Sequence, residues 1–220
     1  MYTILSLYIT AIAFILIFIY IFKKYKKNSK DAFLRDLCII LISISTIEIT
    51  KALGFTFMKY YSIFYASSLV PEALIFGYLM KFSIDIYHTE RSYNIMFYIT
   101  ILLYLFEIFL IPFNPLKPKF YPSINTYTYG LHGFLAIYDT SITAIIVLII
   151  LFNFFRFSIK IWNDKFNRYK FLFSGFGILI TVVSLTIHEI IRNMFTNILE
   201  SVGYIVGLMI AIIFISKQQK

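Results

Sequence analysis

Seven stretches of this chain are each apolar over about the thickness of a bilayer, roughly 20 residues, and short charged loops separate them. They fall at 2–22, 33–53, 61–84, 93–111, 131–155, 171–191 and 198–216. Few folds can absorb that pattern. A chain of 220 residues makes one modest soluble domain at most, and such a domain has no interior for seven long apolar helices. The segment from Trp162 to Arg192 shows the pattern most fully: a basic loop, an apolar crossing, then His188, Glu189 and Arg192 at its far end. The expectation is an all-α integral membrane bundle of seven transmembrane helices forming a single domain over 1–220, a multi-pass protein of the cell membrane.

Composition agrees. Charged residues are 14% of the chain, against about 25% in soluble domains. Mean hydropathy is +0.82. The net charge of +9 could point to nucleic acid, but the Lys and Arg residues sit in loops beside apolar runs. That placement is the positive-inside bias of a membrane protein, so nucleic acid is not expected as a partner and membrane lipid is. The lone Cys38 excludes an intrachain disulfide and a cysteine metal cage.

The loop charges also give a direction. The first apolar stretch is followed, not preceded, by the basic run KKYKKNSK at Lys23 to Lys30, and it lacks a small-residue cleavage site, unlike a secretory signal. It reads as a retained helix with its N-terminus outside. On that threading fifteen of the 20 Lys and Arg residues lie on the inner side, which favours N-terminus outside and C-terminus inside. Pro71 is expected to kink the third helix. Four of the five prolines crowd into 112–130, an expected ordered lid or interfacial loop.

The acidic residues divide by depth, with Asp31, Asp36, Asp85, Glu90 and Asp164 expected at the inner surface among the basic residues. Glu48, Glu72, Glu107, Asp139, Glu189 and Glu200 fall one each in helices two to seven, at or beyond mid-depth towards the outside. An ionised side chain at the membrane centre costs about 2.5 to 3.5 kcal/mol on insertion scales, so these groups should face each other, water or the interface. An outward polar pocket would take a cationic or amine-bearing ligand, a metal ion or a proton. Against this, Glu48 and Lys51, like Glu189 and Arg192, are spaced three apart and could simply pair on one helix face. Glu72, Glu107 and Asp139 lie deeper and carry the functional reading, with Glu48, His188 and Glu189 as further candidate ligand contacts. His132, His188 and Glu189 could ligate zinc in principle, but no HExxH or HxH spacing is present, so no metal and no cofactor is assigned. There is no P-loop, GxSxG or GxGxxG motif, and an enzyme is not expected. GFG at Gly175–Gly177 and the Gly203-x-x-x-Gly207 spacing read as helix-packing sites. Tyr60, Tyr61, Tyr121, Tyr127, Tyr129 and Trp162 read as interfacial aromatic belts.

Three segments carry a resemblance. YYSIFYASSLVPEALIFGYLMKFSIDI, the loop IPFNPLKPKFYPSINTYTYG leading into a glycine, and RYKFLFSGFGILITVVS resemble the third helix, the outer loop and the sixth helix of the seven-helix membrane region that precedes sensor histidine kinases and related signalling proteins. The resemblance implies a sensor that passes a change through helix seven to a cytoplasmic output domain. The sequence stops at Lys220, where that domain would attach, so it implies a separate cytoplasmic partner or else no sensing role. The basic set Lys160, Lys165, Arg168 and Lys170 is the expected docking surface. A receptor-like protein binding a small ligand from outside is the leading expectation. A small proton-coupled transporter, or a transporter's membrane subunit, is the alternative.

Overall fold

The computed structural model describes residues 2–85, 90–114, 116, 119–121, 126–128, 133–190, 202–203, 205–207 and 209–210. His132, Arg192 and Glu200 lie outside the described residues, as do the side chains of Lys170, His188 and Glu189.

Six long helices account for most of the described chain. Helix α1 (Tyr2–Lys27) ends on Lys24, Lys26 and Lys27, cations placed where the helix dipole is negative. Helix α2 (Ala32–Thr56) is started by Asp31, whose backbone is extended and whose carboxylate accepts the Leu34 N–H at 3.1 Å. A single 3-10 turn (Met58–Tyr60) leads into α3 (Tyr61–Asp85), which continues through Pro71. Helix α4 (Glu90–Leu110) runs into a 3-10 turn at Ile111–Phe113. Helices α5 (Gly133–Lys160) and α6 (Lys165–Ile190) complete the set. Gly133 opens α5 at φ +60, a conformation that glycine adopts at little cost.

The long loop between α4 and α5 holds a small antiparallel ribbon, β1 (Lys119–Tyr121) on β2 (Thr126–Thr128), with Phe120 opposite Tyr127. Strands of three residues leave no readable alternation, which is why the sequence showed only a loop there.

Five helical stretches among the described residues are long and apolar enough to cross a membrane: Ile4–Lys27, Leu34–Thr56, Met58–Ile84, Asn94–Phe113 and Gly133–Lys160. In α6 the described apolar portion is the shorter Phe171–Val183. The expected seventh span lies mostly outside the described residues; 202–203, 205–207 and 209–210 are helical.

Neighbouring helices pack in chain order, α1 on α2, α2 on α3, α3 on α4 and α5 on α6. Helix α3 also touches α5 and so meets three partners. Contacts between opposite helix termini, such as Lys81 near the end of α3 with Asp36 near the start of α2, make the neighbours antiparallel. One end of the bundle therefore gathers Lys23 to Lys30 and the α5–α6 turn, the basic end. The other carries the β-ribbon, the ribbon end. Large apolar side chains such as Leu16, Ile63, Leu102, Ile137 and Leu148 stand exposed around the perimeter. Continuous apolar exposure of that kind suits lipid and not water. Hydroxyls inside α2 are satisfied within the helix: Ser45, Thr46 and Thr50 donate to the carbonyls of Leu41, Ile42 and Thr46 at 3.0, 2.8 and 2.9 Å.

The glycine-rich spacings pack as expected. Gly207 of the last segment lies directly against Gly177 and Thr181 of α6. Nearby, Ile205 packs against the apolar cluster that α1 and α2 build around Phe14 and Leu41.

Candidate functional site

Two polar layers interrupt the apolar interior, one towards each end. The layer in the ribbon-end half draws on α2, α3, α4 and α5. Helix α4 brings Glu107, only 1% exposed, and α3 brings Tyr65, whose hydroxyl donates to Glu107 Oε1 at 2.7 Å. Both partners of this bond are buried. One turn before Glu107 on α4, Tyr104 stacks on Phe76 of α3, with ring centroids 5.1 Å apart, and its hydroxyl lies 2.8 Å from Thr143 Oγ1 of α5. The helices are thus tied across the bundle by tyrosines.

The remaining acids gather around this frame. Glu107 lies within Coulombic range of Asp139 (α5), Glu72 (α3) and Lys51 (α2). Tyr65 senses the same three carboxylates, Asp139, Glu107 and Glu72. Glu48 on α2, 7% exposed, lies within range of Lys51 and Glu72. The sequence-predicted acids Glu48, Glu72, Glu107 and Asp139 therefore share one layer, with Glu72 and Asp139 half-buried. Against these four carboxylates the described residues place one ammonium, that of Lys51.

The spacing of Glu48 and Lys51 would allow a pair, but Glu48 makes no ion pair within 4.0 Å and no hydrogen bond among the described residues. Its carboxylate sits near Lys51 without being held by it. Glu107 engages one oxygen, Oε1, in its bond to Tyr65. The layer thus has buried acceptor capacity beyond what the described residues fill, and a buried acceptor left unfilled costs about 1–3 kcal/mol or more when charged. His188 and Glu189, the other two expected contacts, have side chains outside the described residues.

The second layer was not foreseen. Asp36 was expected at the membrane surface among basic residues. It is instead 2% exposed, clamped by Lys81 Nζ at 2.8 Å on Oδ2 and by the Arg35 guanidinium at 2.9 Å on Oδ1. Helix α2 enters the bundle with Asp36 on its inner face, so its carboxylate meets α3 instead of solvent. Beside it, Asn153 of α5 donates to Ser83 Oγ of α3 at 3.2 Å. The signal available in the sequence was weak: one acid next to an arginine at a helix start, with a lysine near the end of the next helix.

Of the expected docking residues, Lys160 and Lys165 are exposed on the α5–α6 turn. Arg168 is half-buried, its guanidinium 4.2 Å from the Trp162 ring centroid and 4.9 Å from that of Tyr169. Trp162 thus acts as a stacking platform for the arginine as well as an exposed aromatic. Tyr61, expected in an aromatic belt, is buried against Phe55, while Tyr60 is exposed. An open groove of about 510 Å³ runs between α3 and α4 past Ile63, Val70, Ile108 and Pro112. It is apolar, lies on the perimeter and contains none of the acids.

No family model matches the chain, and no curated protein or solved structure matches it.

Proposed function

We propose that this is a receptor-like multi-pass membrane protein that binds a small ligand in the ribbon-end polar layer and signals to a cytoplasmic partner at the basic end. One observation carries the reading: Glu107 lies within Coulombic range of Glu72 and Asp139, and Glu48 within range of Glu72, so carboxylates from four successive helices link into one polar layer. A layer linked across helices is suited to sensing, because anything bound there biases how the helices pack. On this reading the chain crosses the membrane seven times with its N-terminus outside. The ribbon end faces outward, and Lys160, Lys165, Arg168 and Lys170 meet the partner. The resemblance to the membrane region of sensor kinases points the same way.

The ligand test is a thermal-shift screen of the purified chain against small cationic, neutral and anionic compounds, repeated with Glu72→Gln, Glu107→Gln and Asp139→Asn. A saturable shift that any one of these variants removes supports the site. Shifts that survive all three defeat it. The threading test uses Cys38, whose burial gives a low labelling background. A cysteine placed at Phe113 should react with an impermeant maleimide on intact cells and one at Asn163 should not; the reverse pattern turns the bundle over.

A second reading draws on the burial of Glu48 and Glu107, since intramembrane carboxylates can carry protons. Vesicles reconstituted with the protein would then couple uptake to an imposed pH gradient, whereas a receptor alone leaves a trapped pH dye unchanged.

A further inference from the structure

The open groove between α3 and α4 lies apart from the acid layer. Its walls belong to the spanning stretches Met58–Ile84 and Asn94–Phe113, so at membrane depth it meets hydrocarbon. From Ser62 to Val70 along α3 it runs about 12 Å, at 1.5 Å per residue. The small side chains of Ala66 and Ser67 leave the recess, and Ile108 and Pro112 bound it on the α4 side. Ser67 does not make the groove polar, because its hydroxyl donates back to the Ile63 carbonyl at 2.8 Å. An apolar furrow of that length, about 510 Å³ in volume, fits an alkyl chain.

At the ribbon end the groove changes character. Ser62 is exposed, and its hydroxyl has no hydrogen bond among the described residues. Three residues earlier, in the 3-10 turn that leads into α3, stands Lys59. It is exposed, its ammonium lies 5.6 Å from the centroid of the exposed Tyr60 ring, and it makes no ion pair among the described residues. An ammonium, a hydroxyl and a phenol at the membrane-surface end of an apolar furrow are donors suited to a phosphate. Nor is there a carboxylate to receive a cationic headgroup. Residues 57–71 contain no acid, and Glu107, beside Ile108, is turned inward to Tyr65. Net negative charge on the headgroup therefore adds a contact, with Lys59, that a choline group does not.

We propose that this groove binds one phospholipid with a net-negative headgroup. One acyl chain lies along Ala66, Ser67 and Val70 against Ile108, and the headgroup phosphate accepts from Lys59 and Ser62. The site shares no residue with the acid layer, so it stands or falls independently of the ligand site proposed above.

The test uses the full chain in detergent with phosphatidylglycerol or phosphatidylcholine whose acyl chain carries a photoactivatable diazirine. Labelled peptides are mapped by mass spectrometry, which separates this groove from the lysines of the basic end. The expected result is saturable labelling within 62–70 and 108–112, at about fivefold lower concentration for phosphatidylglycerol, as one lysine at an anionic lipid surface supplies. Lys59→Gln should abolish that preference and leave phosphatidylcholine unchanged. Ser67→Trp, which fills the furrow, should lower labelling by both lipids, and Lys27→Gln, at the basic end, should alter neither. Lys59 is exposed, so its variant keeps the test decisive if Ser67→Trp is unstable. A preference that survives Lys59→Gln overturns the proposal, as does labelling spread evenly over the α4 and α5 perimeter. Displacement of phosphatidylglycerol by sodium phosphate, but not by sodium chloride of equal ionic strength, makes the site one for a free anion and overturns the lipid assignment. So does a chain that sediments as a dimer and becomes monomeric with Ser67→Trp, which makes the groove a contact between copies.

Discussion

Gly207 offers the sharpest test of how the last segment is held. A Cβ built there would lie 2.5 Å from the Gly177 carbonyl oxygen, 2.5 Å from Thr181 Oγ1 and 2.8 Å from the Thr181 nitrogen. Comfortable non-bonded separations are nearer 3.5 Å, so Gly207→Ala must push the segment back by about 1 Å. The neighbours cannot give way instead. Two of the three atoms are backbone of α6, and the third is a hydroxyl already donating to the Gly177 carbonyl at 3.1 Å. Overpacking of this type costs about 1–3 kcal/mol. Retreat also draws Ile205 away from the α1–α2 cluster, which adds to the loss. Converted with the size scaling of thermal unfolding, the melting temperature of the detergent-solubilised protein should fall by roughly 2–10 °C. Gly207→Leu should fall further. Val206→Ala, at an exposed neighbour, should change little. Adding Thr181→Ala to Gly207→Ala should return only part of the loss, because the Gly177 carbonyl remains in the way. An unchanged melting temperature for Gly207→Ala would show that the segment does not rest on α6 at this glycine.

Three further outcomes follow from the polar layers. Asp36→Asn should lower the melting point by an amount equivalent to about 1–3 kcal/mol, below the 3–5 of a fully buried pair because Lys81 is 19% exposed; Lys81→Met in the same chain should recover part of it. Tyr65→Phe should cost about 1–3 kcal/mol in the same assay, the range for a buried polar group left unsatisfied, because Glu107 is buried and loses its donor. Glu48→Met should have the opposite sign and raise the melting temperature, by up to about 3 kcal/mol in stability, since it removes a buried carboxylate that the described residues leave unbonded. If Glu48→Met destabilises the protein, Glu48 is a structural group, and one reason for placing a ligand beside it is gone.

How much of this was legible depends on the direction along which one looks. Depth along each helix was readable, because it follows from counting residues from a charged loop at about 1.5 Å each. That is why Glu48, Glu72, Glu107 and Asp139 could be assigned to one level before their neighbours were known. Rotation about each helix axis was not readable. A soluble helix announces its buried face by alternation of apolar and polar residues. A membrane helix is apolar towards both lipid and core, so the period disappears. Leu102 faces outward at 66% exposure while Tyr104, two residues on, is buried, and nothing in the local sequence ranks one above the other.

The same blindness explains the misplacements. Asp36 sits one residue from an exposed arginine, so a linear reading puts both at the surface; only the packing of α2 on α3 sends the carboxylate inward to Lys81 and leaves Arg35 to reach across it. Tyr61 looked like a candidate for the headgroup region by depth alone. Rotation turns it inward onto Phe55, and it likewise turns Tyr65 onto Glu107. Polar side chains break the symmetry between lipid and core, because one of these faces can satisfy them and the other cannot. In this chain they are the residues from which rotation can be recovered. Fixing the inward face of α2 at Asp36 and Glu48, two positions twelve residues apart, already orients the whole helix, and the cation that Asp36 demands, Lys81, then fixes α3.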